Sequence, residues 1–283
     1  MYLRVMTKAD VPAGLRLNEL AGWNQTADDW QRFLEASPSG CFVAEEQGEV
    51  RGTATTISYE NRFAWIGMVL VDPEYRKQGI GTQLLQRTIE YLDERRIPTV
   101  KLDATPLGQP LYRKLGFVTE YEIERWILKR RNAITNRRNA SKLTLTEIQL
   151  EPVLRFDYEI FGANRSPLLN SLRDMSPDLA MGVWNDGAPQ GYSFGRRGLF
   201  ADHLGPWVAK SRAAAAQLLQ EFLENSSRET LIVDCLTANV MATELLRSYS
   251  FAPARYLTRM FRGPNADPGN REFQCAIVGP EFG

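Results

Sequence analysis

Val71-Asp-Pro-Glu-Tyr-Arg-Lys-Gln-Gly-Ile-Gly81 is the stretch that decides how this chain folds. The apolar run Trp65-Ile-Gly-Met-Val-Leu-Val71 leads into it and reads as a buried strand. Thr82-Gln-Leu-Leu-Gln-Arg-Thr-Ile-Glu-Tyr-Leu92 follows and reads as a helix. A glycine-bearing loop at a helix N-terminus aims several backbone N–H groups at one point, and the helix dipole adds positive potential there. Glycine also lets the backbone approach a phosphate that a Cβ would hold away. The loop therefore predicts a phosphate-bearing ligand. It is not a Walker loop, which needs G-x-x-x-x-G-K-[ST]. Nor is it a dinucleotide fingerprint, because Leu84 stands where G-x-G-x-x-G needs its third glycine.

Downstream, Val100-Lys-Leu-Asp-Ala-Thr105 reads as a strand, and Leu111-Tyr-Arg-Lys-Leu-Gly-Phe117 as a short helix ended by Gly116. The order R-x-x-G-x-G, helix, strand, then Tyr112-x-x-x-Gly116-Phe117 resembles the GNAT superfamily of N-acetyltransferases. That resemblance implies an α/β (α+β) fold, a mixed, mostly antiparallel twisted sheet flanked by helices. It implies acetyl-CoA as co-substrate, with no metal. The pyrophosphate would lie on the backbone N–H groups of Lys77, Gln78, Gly79, Ile80, Gly81 and Thr82, with Arg76 adding charge or bracing the loop. The pantetheine arm would pair with a strand edge at Met68, Val69, Leu70 and Val71, and an N–H near Val69 would polarise the thioester carbonyl. Thr105 stands where the family often has an asparagine contacting that arm. Tyr112 is the candidate general acid for the leaving thiolate. Asp103 is a candidate general base, acting directly or through water; it could equally be a satisfied loop carboxylate, and a water relay is a third route.

The second half repeats the first. Adding 134 to the numbering aligns Leu84-Leu85 with Leu218-Leu219, Phe117 with Phe251, and Arg125 with Arg259. Gly48-x-x-x-Gly52 recurs as Gly187-x-x-x-Gly191. Two similar halves imply duplicated domains. The same alignment sets Ala213 and Ala215 against Gly79 and Gly81, Leu246 against Tyr112, and Asn239 against Thr105. The second copy keeps the scaffold without the phosphate loop or the phenol. Together with Ala21-Gly-Trp-Asn-Gln25, Phe161-Gly-Ala-Asn-Arg165 and Gly205-Pro-Trp-Val-Ala209, this resembles two-domain GNAT proteins with an active first domain and a degenerate second one. The expected boundaries are residues 1–130 for the catalytic domain, 131–143 for a linker and 144–283 for the degenerate domain. The basic run Lys129–Ser141 reads as a solvated connector.

Acceptor binding is expected from Trp23, Asn24 and Asp29 after the first helix, although Asp29 could instead cap the next helix near Trp30. From the second domain, Asp157, Phe161, Arg165 and Tyr192 are candidates. Asp157, Phe161 and Arg165 fall at four-residue steps, so one helix face could present them, either to the acceptor or as a salt-bridged structural face. On this reading the second domain closes the acceptor pocket of the first.

The chain of 283 residues has 34 Lys plus Arg and 34 Asp plus Glu. Zero net charge argues against nucleic acid or an anionic membrane as the main partner. No run is long and apolar enough to span a bilayer, and the N-terminus has no signal-peptide core, so a cytoplasmic location is expected. Cys41, Cys235 and Cys275 are far apart and read as buried reduced thiols, with no metal-ligand spacing. His203, the sole histidine, is expected at the surface or as a cap. Open strand edges would allow a homodimer. The leading reading is acetyl transfer to the primary amine of a small molecule; a longer acyl-CoA, a protein acceptor and a non-catalytic acyl-CoA sensor are the competing ones.

Overall fold

The computed structural model describes residues 1–130 and 143–283, so all but the last residue of the expected linker lies outside the described residues. The chain forms two compact units. Unit 1 comprises residues 1–120, 259–266 and 281–283; unit 2 comprises 121–258 and 267–280.

Unit 1 is built on the antiparallel run β1 (Tyr2–Val5), β2 (Phe42–Glu46), β3 (Glu49–Tyr59) and β4 (Phe63–Val71). Helices α1 (Val11–Leu20) and α2 (Ala27–Ala36) lie between β1 and β2 in sequence and pack on β3. The β2–β3 hairpin turns on Gln47 and Gly48, both at positive φ, as the Gln-Gly signal predicts. Helix α3 (Ile80–Glu94) carries the chain over to β5 (Val100–Ala104), which runs parallel to β4. It buries Ile80, Leu84, Leu85, Ile89 and Leu92 against Phe42, Ala44, Ala54, Ala64 and Ile66. Gly52 permits that approach, since a Cβ there would stand 2.9 Å from both the Leu70 carbonyl and Leu84 Cδ1.

After α4 (Gln109–Lys114) comes β6 (Val118–Lys129), and most of β6 belongs to unit 2. Unit 2 repeats the plan. Helices α5 (Glu147–Phe161) and α6 (Ser166–Met175) precede β7 (Met181–Asn185), β8 (Ala188–Arg197) and β9 (Asp202–Ala209). Helix α7 (Arg212–Asn225), β10 (Thr230–Leu236), α8 (Val240–Ser248), β11 (Ala252–Arg262) and β12 (Gln274–Ala276) follow. Leu218, Leu219 and Phe222 of α7 pack with Trp207, Leu231 and Val233 in its core. Strand β10 pairs with β6 over seven positions, from Thr230–Lys129 to Leu236–Ile123. Arg125 on β6 grips Asp234 on β10 through two bonds of 2.7 Å.

Unit 1 in turn is completed by the end of β11. Arg259 donates two bonds of 2.8 Å to Asp103 on β5. The last residues also belong here: Phe282 stacks on Phe33 with centroids 4.8 Å apart, and Tyr59 Oη donates to the Phe282 carbonyl at 2.7 Å. Most of β6 from the first half thus belongs to unit 2, and the end of β11 from the second half belongs to unit 1.

Two local readings need correction. Helix α5 stops at Phe161, where Gly162 takes φ +91° as C-cap. Arg165 lies beyond it, at the N-cap of α6. Asp157, Phe161 and Arg165 therefore do not share one helix face; glycine in the left-handed region ended the helix inside the counted spacing. His203 is not a surface residue. It is buried on β9, with Nε2 3.2 Å from Asp234 and Nδ1 3.3 Å from Arg196. Burial lowers its pKa below the ordinary histidine value, against the pull of Asp234.

A fragment of residues 1–140 lacks the Arg259–Ala266 and Glu281–Gly283 segments of unit 1. It is expected to show no cooperative thermal unfolding by circular dichroism, whereas the full chain does; a sharp transition in the fragment would contradict this assembly.

Candidate functional site

Helix α3 begins without a side-chain cap. Gly79 is its N-cap, at φ +83° and ψ −1°, a conformation that side-chain-bearing residues rarely adopt. Gln83 N–H reaches the Gly79 carbonyl at 3.0 Å. The N–H groups of Ile80, Gly81 and Thr82 precede the first turn's carbonyl partners and have none within the helix. Gly81 differs from Gly79. A Cβ at Gly81 would meet only Val71 Cγ2, at an ordinary 3.5 Å. The fold alone does not require glycine there, whereas a phosphate closing on the helix end does.

The loop is braced from below. Asp72 accepts from Arg16 at 2.9 Å and from the Glu74 N–H at 3.2 Å. Burial alone would raise its carboxyl, but Arg16 and the Glu74 N–H hold it below the usual range. Arg76 Nε donates to the Val71 carbonyl at 3.2 Å, so Arg76 ties loop to strand, and its side chain is exposed beside Lys77 and Gln78.

Strand β4 carries a bulge just before this loop. Gly67 faces Thr55 and Leu70 faces Thr53, which leaves Met68 and Val69 together opposite Ala54. Met68 sits at φ +49°, and Thr53 Oγ1 donates to its carbonyl at 2.8 Å. On the other side β4 pairs with β5 only at Ala64–Val100 and Trp65–Lys101. Among the described residues no strand pairing with β5 continues along Gly67–Val71. A parallel pair that parts in this way leaves backbone groups for an extended ligand to pair with.

Tyr112 lies on α4 with its ring against Gly108, where a Cβ would stand 2.7 Å from Cε2, and edge-on to Phe117 at 6.1 Å. Burial pushes its phenol up to about 12. Thr105 Oγ1 accepts the Gly108 N–H at 3.3 Å and so caps the turn before α4. Asp103 is clamped by Arg259, whose guanidinium lies 4.3 Å from the Trp65 ring centroid.

Asp29 is the third residue of α2, and its carboxylate accepts the Thr26 N–H at 2.8 Å and Arg32 at 2.7 Å. Asn24 is buried, and Trp23 is half-buried with its carbonyl held by Asn18 at 3.0 Å. In unit 2, Asp157 accepts from Arg165 at 2.7 and 2.9 Å and from Tyr192 Oη at 2.5 Å. Arg165 lies over the Phe161 ring at 4.0 Å. Their polar groups engage one another in a buried cluster. Burial, then Asp157, drives the Tyr192 phenol well above its ordinary value.

The corresponding place in unit 2 is closed twice. Ser211 caps α7 by accepting the Ala214 N–H at 3.2 Å. Strands β9 and β10 also run parallel and part after Leu204–Val233, but β12 fills the gap, pairing Gln274 with Val208 and Ala276 with both Trp207 and Cys235.

Comparison with known proteins matches this geometry. The Acetyltransferase (GNAT) family profile fits residues 15–117, and an Acetyltransferase (GNAT) domain profile fits residues 153–274. The uncharacterized N-acetyltransferase YitH of Bacillus subtilis is 30% identical over 72% of this chain and 72% of its own. The chain belongs to the GNAT acetyltransferase family. It is a tandem GNAT protein and an N-acetyltransferase, and the family's co-substrate is acetyl-CoA. A holothin acyltransferase of a Pseudoalteromonas strain is 24% identical over 92% of this chain and 87% of that one. An acetyltransferase structure from Pyrococcus horikoshii superposes with a TM-score of 0.82 at 24% identity, covering 100% of this chain and 95% of that one, which shows the same fold. Among the described residues no helix is long and apolar enough to cross a membrane, and no cluster of metal-ligating side chains occurs.

Sequence reasoning missed Arg259, Gly67, Thr55 and Glu281 as neighbours in this GNAT unit. Arg259 and Glu281 come from distant segments, and only the Arg125–Arg259 alignment hinted at one of them; Gly67 and Thr55 lie on β4 and β3 themselves, where nothing local singles them out.

Gly81→Ala should leave stability within about 1 kcal/mol of the parent, while acetyl-CoA binding weakens at least tenfold. Gly79→Ala should cost roughly 1–2 kcal/mol, because its φ is left-handed. Urea unfolding and calorimetric titration check both.

Proposed function

We propose that unit 1 moves an acetyl group from acetyl-CoA to the primary amine of a small molecule, by direct attack within a ternary complex. The observation that carries this reading is the uncapped N-terminus of α3 beside the parted edge of β4. The Ile80, Gly81 and Thr82 N–H groups suit a pyrophosphate, and the Met68–Val71 edge suits the amides of the pantetheine arm. Both features fit acetyl-CoA and need no metal. The bulge at Met68–Val69 aims backbone out of ladder register, which suits an N–H donor to the thioester carbonyl. Relatives named for acyl transfer support the reaction class.

Tyr112 is the donor to the departing sulfur. With its phenol raised to about 12 it stays protonated through the neutral range and offers a hydrogen bond to developing thiolate charge. Asp103 is better read as a positioning group than as the base. Both its oxygens accept from Arg259, which fixes Arg259 over Trp65. Unit 2 holds no acyl-CoA of its own on this reading, because Ser211 and β12 occupy the equivalent backbone groups.

Thiol release from acetyl-CoA, followed across a panel of primary amines, tests the proposal. Turnover with at least one amine is expected, and no release with any would contradict it. Tyr112→Phe should lower kcat by about 10²-fold with little change in the acetyl-CoA KM. Its pH–rate profile should match the parent's below about pH 10, because the parent phenol does not ionise there.

A further inference from the structure

We infer that the Thr53 hydroxyl is a positioning group for acyl transfer: it turns the Met68–Val69 peptide so that the Val69 N–H faces the thioester carbonyl. The inference rests on the acetyl-transfer reading of unit 1 and deepens it by naming what aims the donor.

The planarity of the peptide bond carries the argument. The Met68 carbonyl and the Val69 N–H belong to one rigid unit, which is trans, so they point in opposite directions. Thr53 lies on β3, and its Oγ1 donates to the Met68 carbonyl at 2.8 Å. The carbonyl is thereby held toward β3, and the Val69 N–H is turned toward the opposite flank of β4. On that flank the pairing with β5 has already ended, at Trp65–Lys101. One hydroxyl on a neighbouring strand thus sets the direction of a donor that it does not touch.

The bulge needs such a hold. Met68 sits at φ +49°, in the left-handed region that a residue with a side chain occupies at a cost. A conformation of this kind persists where its surroundings fix it. Thr53 and Met68 are both buried, so the bond between them is shielded from water.

Unit 2 supplies the contrast. Its pairs Gly195–Leu204 and Ser193–Trp207 leave Gly205 and Pro206 together opposite Phe194, a bulge of the same pattern. By that register Ser193 stands where Thr53 does, and Pro206 where Val69 does. Proline has no N–H to offer a carbonyl. The φ of Gly205 lies outside the left-handed region. Ser193 is buried, and its Oγ has no hydrogen-bond partner among the described residues. Where β12 fills the gap beside the bulge, both the N–H and the hydroxyl that would aim it are missing from their tasks. In unit 1 they occur together.

Thr53→Ala and Thr53→Ser in the full chain form the test, because both lose the γ-methyl and only the first loses the hydroxyl. Difference infrared spectra of bound acetyl-CoA, isotope-labelled at the thioester carbonyl, read the hydrogen bond on that carbonyl. The parent and Thr53→Ser should show a stretch below that of free acetyl-CoA, and Thr53→Ala should return most of the way to the free value. With an amine that the parent turns over, kcat of Thr53→Ala should fall about tenfold or more, while Thr53→Ser keeps most of the rate. Calorimetric acetyl-CoA affinity should stay within about threefold in both. A stretch in Thr53→Ala that matches the parent overturns the inference whatever kcat does, and leaves acetyl transfer standing. So does a parent stretch equal to that of free acetyl-CoA. If the parent turns over no amine, acetyl transfer fails, and the infrared comparison alone decides the role of Thr53. Should Thr53→Ala misfold, Thr53→Val carries the same comparison with the same expected shift.

Discussion

The buried pair between Arg259 and Asp103 is the interaction on which the rest of unit 1 depends. Two charge-assisted bonds of 2.8 Å tie the end of β11 to β5, and the guanidinium lies over Trp65. Removing one partner would leave the other charged and nearly inaccessible to water, a loss of about 3–5 kcal/mol. The pair therefore commits β11 to one register beside β5. The chain's last residues also enter this unit, against Gly67 and Trp65 on β4. Arg125 and Asp234 make the matching pair in unit 2. Burial would raise the Asp234 carboxyl, but Arg125 and then His203 hold it far below the usual range.

The two units show how one scaffold is opened or closed at a ligand site by local means. Both have a parallel strand pair that parts beside the N-terminus of a helix, and the helix dipole is the same in each. In unit 1 the helix begins at a glycine that offers no side chain to its N–H groups. In unit 2 Ser211 supplies the acceptor itself, and β12 takes the strand edges. On the proposed reading, a serine cap and a three-residue strand take the backbone groups that an extended anionic ligand would use, with no change in the fold around them.

Much of the first unit was legible because its signals are local. Gly79 demands a left-handed φ, Gln47-Gly48 demands a hairpin, and the Leu84, Leu85 and Leu92 spacing demands a helix with one buried face. The loss of glycine at Ala213 and Ala215 was equally plain. What escaped were contacts between segments far apart in sequence. Nothing near Asp103 announces Arg259, and nothing near Gly67 announces Glu281. A spacing of four residues suggested a shared face for Asp157, Phe161 and Arg165, but Gly162 broke the helix, and the residues met through a bend. His203 was misplaced because a lone polar side chain says little about its depth until Asp234 and Arg196 are in position around it.

Calorimetric titration of acetyl-CoA into the full-length chain tests the central claim most directly. One open helix end and one closed one predict a single site per chain. Two sites would show that the Ser211 cap and β12 do not exclude the ligand from unit 2. No binding would show that the uncapped α3 terminus is not an acyl-CoA site.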